Sequence, residues 1–197
     1  MKAVVVESRR RLLDGFFKVD EVLLRFEKFD GQMSPVVRRL ILDLGDAVAA
    51  LVFNTTTQRL VFVNQFRCPT VEKGPGWVTE IVAGMVDAGE SPEAAVRREI
   101  LEEVGFNVAK LERIACFYVS PGGSTERVFL YYAEVDDAGK VEAGGGVDAE
   151  HEDIELVELD IEAALRAVGA GVIVDAKTIL AIYWLRNKMS QERGGTE

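Results

Sequence analysis

Residues 84–106 read GMVDAGESPEAAVRREILEEVGF, and the second half of this stretch carries the signals of a short helix. Ser91 is a favourable N-cap, and Pro92 suits the first helical position. Gly105 suits the position just beyond a helix, where the backbone often turns left-handed. The sequence therefore predicts a helix that begins after Ser91 and ends before Gly105.

The acids of this predicted helix lie where they are unfavourable. Glu102 and Glu103 fall in the last turn, where each costs a few tenths to about 1 kcal/mol against the negative end of the helix dipole. At about 100° per residue, Glu99 shares their face, and Arg98 can pair with Glu102 four residues later. One interpretation is a solvated acidic face. The other is a site for a hard divalent cation such as Mg²⁺, which binds carboxylate oxygens and bridges them to phosphates.

The composition narrows the function classes. The chain has 197 residues and a net charge of −10, which argues against a nucleic-acid surface, because such surfaces cluster Lys and Arg. No apolar run approaches the roughly 20 residues that span a bilayer, and the N-terminus lacks the pattern of a signal peptide. Cys68 and Cys116 show no metal-ligand spacing and are predicted to be reduced and buried. We therefore expect a cytoplasmic protein without nucleic-acid or membrane partners.

The rest of the chain is predicted to be mostly strand, with two further helices at its end. The first forty-odd residues are β-favouring, with a turn signal at Asp30-Gly31. A Gly- and acid-rich loop covers residues 136–153, and loops of this length are usually functional or disordered. The further predicted strands are 47–53, 60–66, 77–83, 111–119, 128–135 and 154–159, and the helices are 161–168 and 175–188. This pattern predicts an α/β sandwich with a separate N-terminal strand layer.

The stretch quoted above resembles the signature of the Nudix hydrolases. The matching positions are Gly84, Glu90, Arg98, Glu99, Ile100, Glu102, Glu103, Gly105 and Phe106. The resemblance implies an α/β/α sandwich with a mixed sheet, preceded by an N-terminal antiparallel β layer. The corresponding regions are 1–44 for the N-terminal strands, 45–191 for the hydrolase domain and 192–197 for a flexible tail.

The resemblance also implies metal-assisted hydrolysis of a diphosphate, with two or three Mg²⁺ or Mn²⁺ ions per site. The implied metal ligands are Glu99, Glu102, Glu103 and the backbone carbonyl of Ala83. Arg98 would orient the carboxylates, Glu90 would brace the loop and Gly84 would lie against the substrate.

Features outside this stretch resemble the branch that cleaves ADP-ribose and related nucleotide sugars. Arg67 follows a predicted hairpin strand and would hold substrate. Pro121, in SPGGSTER, lies sixteen residues beyond Gly105, which is the spacing typical of ADP-ribose enzymes. In the N-terminal region Arg38 or Arg39 would contact substrate, and the strands there would form a homodimer.

The loop of residues 142–155 completes this implied site. The branch has a catalytic base in the corresponding mobile loop, which matches Glu150 here, and an acid close to the metals, which matches Glu152. The alternative interpretation is an acidic solvated loop. A glycine-rich loop could bring a base within hydrogen-bond reach of the attacking water on substrate binding.

The substrate is left open between ADP-ribose and GDP-mannose, with other nucleoside diphosphate derivatives as a further alternative. ADP-ribose, cleaved to AMP and ribose 5-phosphate, is favoured by Pro121. GDP-mannose is favoured by the triple glycine at 144–146 and by DAKTIL at 175–180. A third interpretation, a Nudix-like module that senses such a ligand without cleaving it, is disfavoured because all the signature acids are present.

Overall fold

A computed structural model of the protein describes residues 2–147 and 152–194, which form ten strands, three α-helices and two short 3-10 helices. The strands build two sheets, one of three strands and one of seven. The chain divides into two compact units. The first comprises Met1–Asp46 with Phe117–Val128, and the second comprises Ala47–Cys116 with Phe129–Glu197.

The three-stranded sheet confirms the predicted N-terminal antiparallel layer. Its strands are β1 (Val4–Asp14), β2 (Lys18–Phe26) and β3 (Val37–Asp43), paired in that order. All eleven residues of β1 are exposed. Asp20 of β2 is buried and paired with Arg9 and Arg11, whose hydrogen bonds lower the pKa of that carboxyl against the opposing effect of burial.

The seven-stranded sheet follows the order β10-β5-β4-β9-β8, while β6 pairs with β5 and β7 pairs with β4. The first four strands in the chain are β4 (Asp46–Asn54), β5 (Arg59–Phe66), β6 (Trp77–Glu80) and β7 (Val82–Met85). The remaining three are β8 (Lys110–Tyr118), β9 (Arg127–Val135) and β10 (Ile154–Leu159). Most of β4 and β5 is buried, as their continuous apolar sequences predict.

The prediction of one strand over residues 77–83 was wrong, because the structure breaks it at Ile81. β4 and β5 pair over only three residues of each strand, 52–54 with 59–61. Elsewhere β5 pairs with β6, and β4 pairs with β7. Between these pairings the backbone N–H of Ile81 donates to the Thr178 hydroxyl at 2.9 Å. The break places β7 directly before the loop that leads into the first helix.

The three α-helices are α1 (Pro92–Val104), α2 (Ile161–Gly169) and α3 (Ala176–Gly194). The apolar side of α1 enters the core through Ala95, Val96, Ile100 and Val104, which pack with valines of β4 and β5. α3 extends to Gly194, so residues 192–194 are helical where the sequence predicted a flexible tail. Within the described residues, no helix has both the length and the apolar character needed to cross a bilayer.

The two cysteines are free thiols and both are exposed, so the prediction that they are buried was wrong. Cys68 begins a short 3-10 helix (Cys68–Thr70) just after β5. Cys116 lies on β8, which is the last strand in the order of its sheet. Cysteine is among the residue types most often buried, and that general preference misled the prediction at both positions.

Candidate active site

Local sequence signals set both ends of α1, as predicted. The Ser91 hydroxyl accepts a hydrogen bond from the Ala94 N–H at 3.2 Å. At the other end Gly105 adopts a left-handed conformation, with φ of 75°, and its N–H donates to the Leu101 carbonyl at 2.9 Å. These caps place Glu99, Glu102 and Glu103 in the last two turns.

The Gly- and acid-rich loop of residues 136–153, called the glycine-rich loop below, packs through its described part on the C-terminal end of α1. Its donors compensate the negative end of the helix dipole. The N–H of Gly145 donates to the carbonyl of Glu103 at 2.9 Å, and that of Gly146 donates to the carbonyl of Glu102 at 3.2 Å. The Lys140 ammonium donates at 2.6 Å to the carbonyl of the last helical residue. These donors satisfy carbonyls that a helix end leaves unpaired, and the cation offsets the dipole.

Gly144 makes this close approach possible. Its φ of +75° is a conformation that other residues rarely adopt. A Cβ built on Gly144 would also overlap the backbone of Glu103 and Val104. The loop can therefore cover the helix end only with glycine at this position.

Arg98 holds three acids of the site. Its Nη1 donates to Glu99 at 2.8 Å and to Glu102 at 2.9 Å, while Nε and Nη2 each lie 3.2 Å from Glu90. Nη2 also donates to the Met85 carbonyl at 3.1 Å, which ties the helix to β7. The carboxylate of Glu90, in turn, accepts an N–H from the loop between β7 and α1. This geometry suits the predicted roles of Arg98 in orienting the acids and of Glu90 in bracing the loop.

Glu103 is the most deeply buried acid of α1, with 1% of its surface exposed. Its Oε2 accepts the backbone N–H of Ala83 at 3.2 Å. Burial raises the pKa of Glu103 to about 9, and the negative charges of Glu99, Glu152 and Glu80 add to the effect. A carboxylate placed in this way is stabilised by a nearby cation.

Glu99 shares this environment. Burial raises the pKa of Glu99 to about 7, although its ion pair with Arg98 acts in the opposite direction. A Cβ built on Gly84 of β7 would overlap the Glu99 carboxylate. The absence of a side chain at Gly84 therefore opens the space that Glu99 occupies.

Glu152, near the C-terminal end of the glycine-rich loop, lies close to Glu99 and Glu103. Its Oε2 accepts the Val147 N–H at 3.1 Å, and its charge contributes to the raised pKa of Glu99 and Glu103. The predicted base, Glu150, lies outside the described residues.

The donor set fits a divalent cation. Among residues 2–147 and 152–194, no three Asp, Glu, His or Cys side chains already converge as metal ligands, and Arg98 holds Glu99 and Glu102 instead. Glu103, however, is buried and Glu99 beside it is half-buried, both with raised pKa values, and Glu152 adds a third negative charge. Carboxylate oxygens are the ligands that Mg²⁺ and Mn²⁺ prefer. The carbonyl of Ala83 stays a predicted ligand.

Arg67 directly follows β5 in the second unit and is held by a residue that the sequence did not reveal. Its Nε donates to Glu80 of β6 at 2.6 Å, and the Glu80 side chain is only 5% exposed. Lys177 of α3 approaches the other oxygen of Glu80 at 3.4 Å. An acid inside the mostly apolar predicted strand of residues 77–83 was the available signal, because such a residue is rarely buried without a partner.

Arg39 and Pro121 lie in the first unit, where they line one cavity of about 560 Å³. The loop that carries Pro121 is fastened to β3. The N–H of Leu42 donates to Gly123 at 2.8 Å, and the N–H of Thr125 donates to Leu42 at 3.0 Å. The structure thus brings together two residues that the sequence assigned to substrate binding from separate segments.

Known proteins are similar to this chain over most of its length. Residues 43–177 match the NUDIX domain family. A GDP-mannose pyrophosphatase of Cronobacter sakazakii is 38% identical over 179 residues, which are 89% of this chain and 91% of that protein. An ADP-ribose pyrophosphatase of Escherichia coli is 36% identical over 184 residues, which are 93% of this chain and 88% of that protein.

The fold has a solved counterpart. A crystal structure described as an ADP compounds hydrolase matches with a TM-score of 0.74 and 18% identity, covering 96% of this chain and 95% of that one. At this identity the likeness concerns the fold alone, and it confirms the predicted α/β architecture.

Proposed function

This chain belongs to the NUDIX domain family, and on that premise we propose that it hydrolyses the diphosphate bond of a nucleoside diphosphate sugar with the help of divalent cations. The observation that carries the proposal is the acid pair of buried Glu103 and half-buried Glu99, next to Glu152, with the Glu99 carboxylate packed against Gly84. Bound cations would polarise the phosphoryl oxygens and acidify a water molecule.

The residues of the chain have distinct parts in this proposal. Glu99, Glu103 and Glu152 would hold the cations, with Glu102 and the Ala83 carbonyl as further ligands. Arg98 keeps the acids of α1 oriented through its ion pairs. The proposed base is Glu150, which corresponds to the base of the branch that the sequence resembles; the described part of its loop is hydrogen-bonded to the C-terminal end of α1 through Gly145 and Gly146.

The proposed substrate is ADP-ribose, with AMP and ribose 5-phosphate as products. The placement of Pro121 and the similar ADP-ribose pyrophosphatase of E. coli support it. Arg67 would bind the diphosphate, and Arg39 and Pro121 would contact the rest of the substrate. GDP-mannose is the second candidate, because the relative from C. sakazakii is a GDP-mannose pyrophosphatase.

We also propose that the protein acts as a homodimer in the cytoplasm. The exposed apolar residues of β1 support the dimer, which would form through the N-terminal strands. The exposed free thiols of Cys68 and Cys116 suit a reducing compartment.

A substrate panel tests the proposed activity. ADP-ribose, GDP-mannose, ADP-glucose and NADH are each incubated with the protein and Mg²⁺, and the nucleoside monophosphate released is quantified. We expect ADP-ribose to be hydrolysed fastest and EDTA to abolish turnover. Faster hydrolysis of GDP-mannose would reverse the choice of substrate. If ADP-ribose binds but none of the four compounds is cleaved, the protein is a sensor and not an enzyme.

A further inference from the structure

Glu80 is a buried acid with a cation on each of its oxygens. Arg67 Nε lies 2.6 Å from Oε1, and Lys177 Nζ lies 3.4 Å from Oε2. A buried carboxylate is costly unless it is paired, and losing one partner leaves an uncompensated charge. Glu80 is therefore held in place by two cations from different parts of the second unit.

The lysine of this cluster is also fixed. Lys177 Nζ lies 2.7 Å from Asp175, whose other oxygen accepts the N–H and the hydroxyl of Thr178 at 2.9 and 2.7 Å. The Thr178 hydroxyl in turn accepts the N–H of Ile81, the residue that follows Glu80. Although burial lowers it, the charges of Asp175 and Glu80 leave the pKa of Lys177 raised. The start of α3 is thus bonded to the strand break and presents a charged lysine there.

The cluster lies beside the acids of α1. Three residues after Glu80, the N–H of Ala83 donates to Glu103. The side chain of Arg67 is 41% exposed, whereas that of Lys177 is 20% exposed. Arg67 is thus the more solvent-exposed end of the cluster, while Glu80 is close enough to Glu103 for its charge to raise the pKa of that acid. An arginine held through its Nε keeps its two terminal nitrogens available, and these match the geometry of a phosphate group.

We propose that Glu80 is a positioning residue, which holds Arg67 and Lys177 as a preorganised pair of cations for the diphosphate of the substrate. The inference rests on the proposed function and deepens it. Without Glu80, the flexible Arg67 side chain would have to be ordered during binding, at the expense of affinity. The role of Glu80 is therefore in binding, and its effect passes through Arg67.

A mutant cycle tests this inference by steady-state kinetics with the better of ADP-ribose and GDP-mannose. Glu80→Gln keeps the shape of the side chain and removes its charge. We expect it to raise KM about tenfold, the loss of about one charged hydrogen bond, and to change kcat much less. Arg67→Met should raise KM at least as much. The double variant should be no worse than Arg67→Met alone, because Glu80 then has no arginine to orient.

The control is Glu134→Gln, which also breaks a Glu–Lys ion pair of the second unit, with Lys110 at 3.0 Å, and should leave KM unchanged. Glu80→Asp retains the charge and should recover part of the affinity lost in Glu80→Gln. It also serves as the test if the glutamine variant does not fold, with the expectation of a moderate rise in KM that disappears in the Arg67→Met background.

Other outcomes overturn the inference. A fall in kcat at constant KM would mean that Glu80 acts on the reacting groups. Additive effects of Glu80→Gln and Arg67→Met on KM would mean that Glu80 acts independently of Arg67. The same conclusion would follow if Glu80→Gln weakened the binding of both substrates in proportion to a loss of thermal stability. An inactive wild-type protein overturns the proposed function itself and this inference with it. An active wild type with a normal Glu80→Gln variant overturns only the inference.

Discussion

Glu103 combines nearly complete burial, a pKa raised to about 9 and a single backbone N–H at 3.2 Å. A side chain chosen only for stability would not be an acid here, because a buried carboxyl that must ionise opposes folding. The energetic cost of this buried carboxylate is explained if Glu103 binds a cation. Raised pKa values near one another are also a frequent mark of functional sites.

This placement predicts how stability depends on pH. In the metal-free protein the folded pKa of Glu103 and of Glu99, about 9 and about 7, exceed the ordinary value of 4.5. The folded state therefore binds more protons than the unfolded state above pH 4.5. The stabilising contribution of these two carboxyl groups is complete below pH 4.5. It is lost as the pH rises to about 7 for Glu99 and to about 9 for Glu103. Groups with lowered pKa values, such as Asp20 and Glu90, change the free energy of unfolding with pH only at lower pH.

The measurement is thermal unfolding in EDTA between about pH 5 and about pH 9. We expect Tm to fall by several degrees, at about 2–4 °C for each kcal/mol lost. Glu103→Gln should remove most of this fall, and should reduce turnover at least about 100-fold because a ligand is lost. Added Mg²⁺ should raise Tm of the wild type more at high pH than at low pH. A flat wild-type profile, or a variant with normal turnover, would contradict the role given to Glu103.

At the scale of elements, the C-terminal end of α1 and the glycine-rich loop are hydrogen-bonded and closely packed against one another. The loop supplies two backbone donors and one ammonium to the last turn, and Gly144 and Gly105 both permit the close approach. Because Glu152 follows on the same loop, the stability of this contact also sets the position of an acid. The element that carries the metal ligands is therefore coupled to the loop proposed to carry the base.

Gly144→Ala tests this coupling. The substitution places a side chain at φ +75° and against the backbone of α1, so we expect a loss of about 1–3 kcal/mol in the free energy of unfolding. Turnover should fall as well, because the loop no longer seats on the helix. The matched control is Gly169→Ala, at a position with no positive φ and open space around the added carbon. Equal unfolding midpoints in urea for both variants would refute the packing role of Gly144.

The elements also show which parts of the structure the sequence could predict. The ends of α1 were predictable because Ser91 and Gly105 act on neighbouring backbone groups. The strand break at Ile81 was not, because it depends on Thr178, nearly a hundred residues away in the chain. The same holds for Lys140, whose partner is a carbonyl of α1. Long-range partners chosen by the fold leave little signal in a single sequence.

At the scale of the whole molecule, each compact unit joins segments that lie far apart in the chain. The acids of α1 were predictable from their spacing and from the resemblance to a family, whereas Glu80 and Lys177 were not assigned because their pairing joins β6 to α3. Residues 117–128 offer a parallel case. They form one compact unit with the N-terminal strands, through bonds to Leu42 and Asp43 that sequence spacing does not encode.

The proposed dimer gives the prediction at this scale. β1 exposes three consecutive valines, Val4, Val5 and Val6, at 63%, 47% and 57%, on an edge strand that offers unpaired backbone groups. Burying such a surface against a second copy would remove it from water, and a stable interface needs on the order of 1,000 Å². We therefore expect light scattering to give about twice the chain mass of 21.7 kDa.

The matched variants separate an interface from a merely exposed strand. Val4→Glu combined with Val6→Glu should yield the monomer, because like charges would face one another across the interface. The control is Val172→Glu, because Val172 is also an exposed valine, at 64%, but lies in the second unit. The Val172→Glu protein should remain dimeric. A monomeric wild type would exclude the dimer, and a dimeric double variant would move the interface away from β1. If the dimer also supplies part of the substrate contact, the double variant should show a raised KM at low protein concentration, where the control does not.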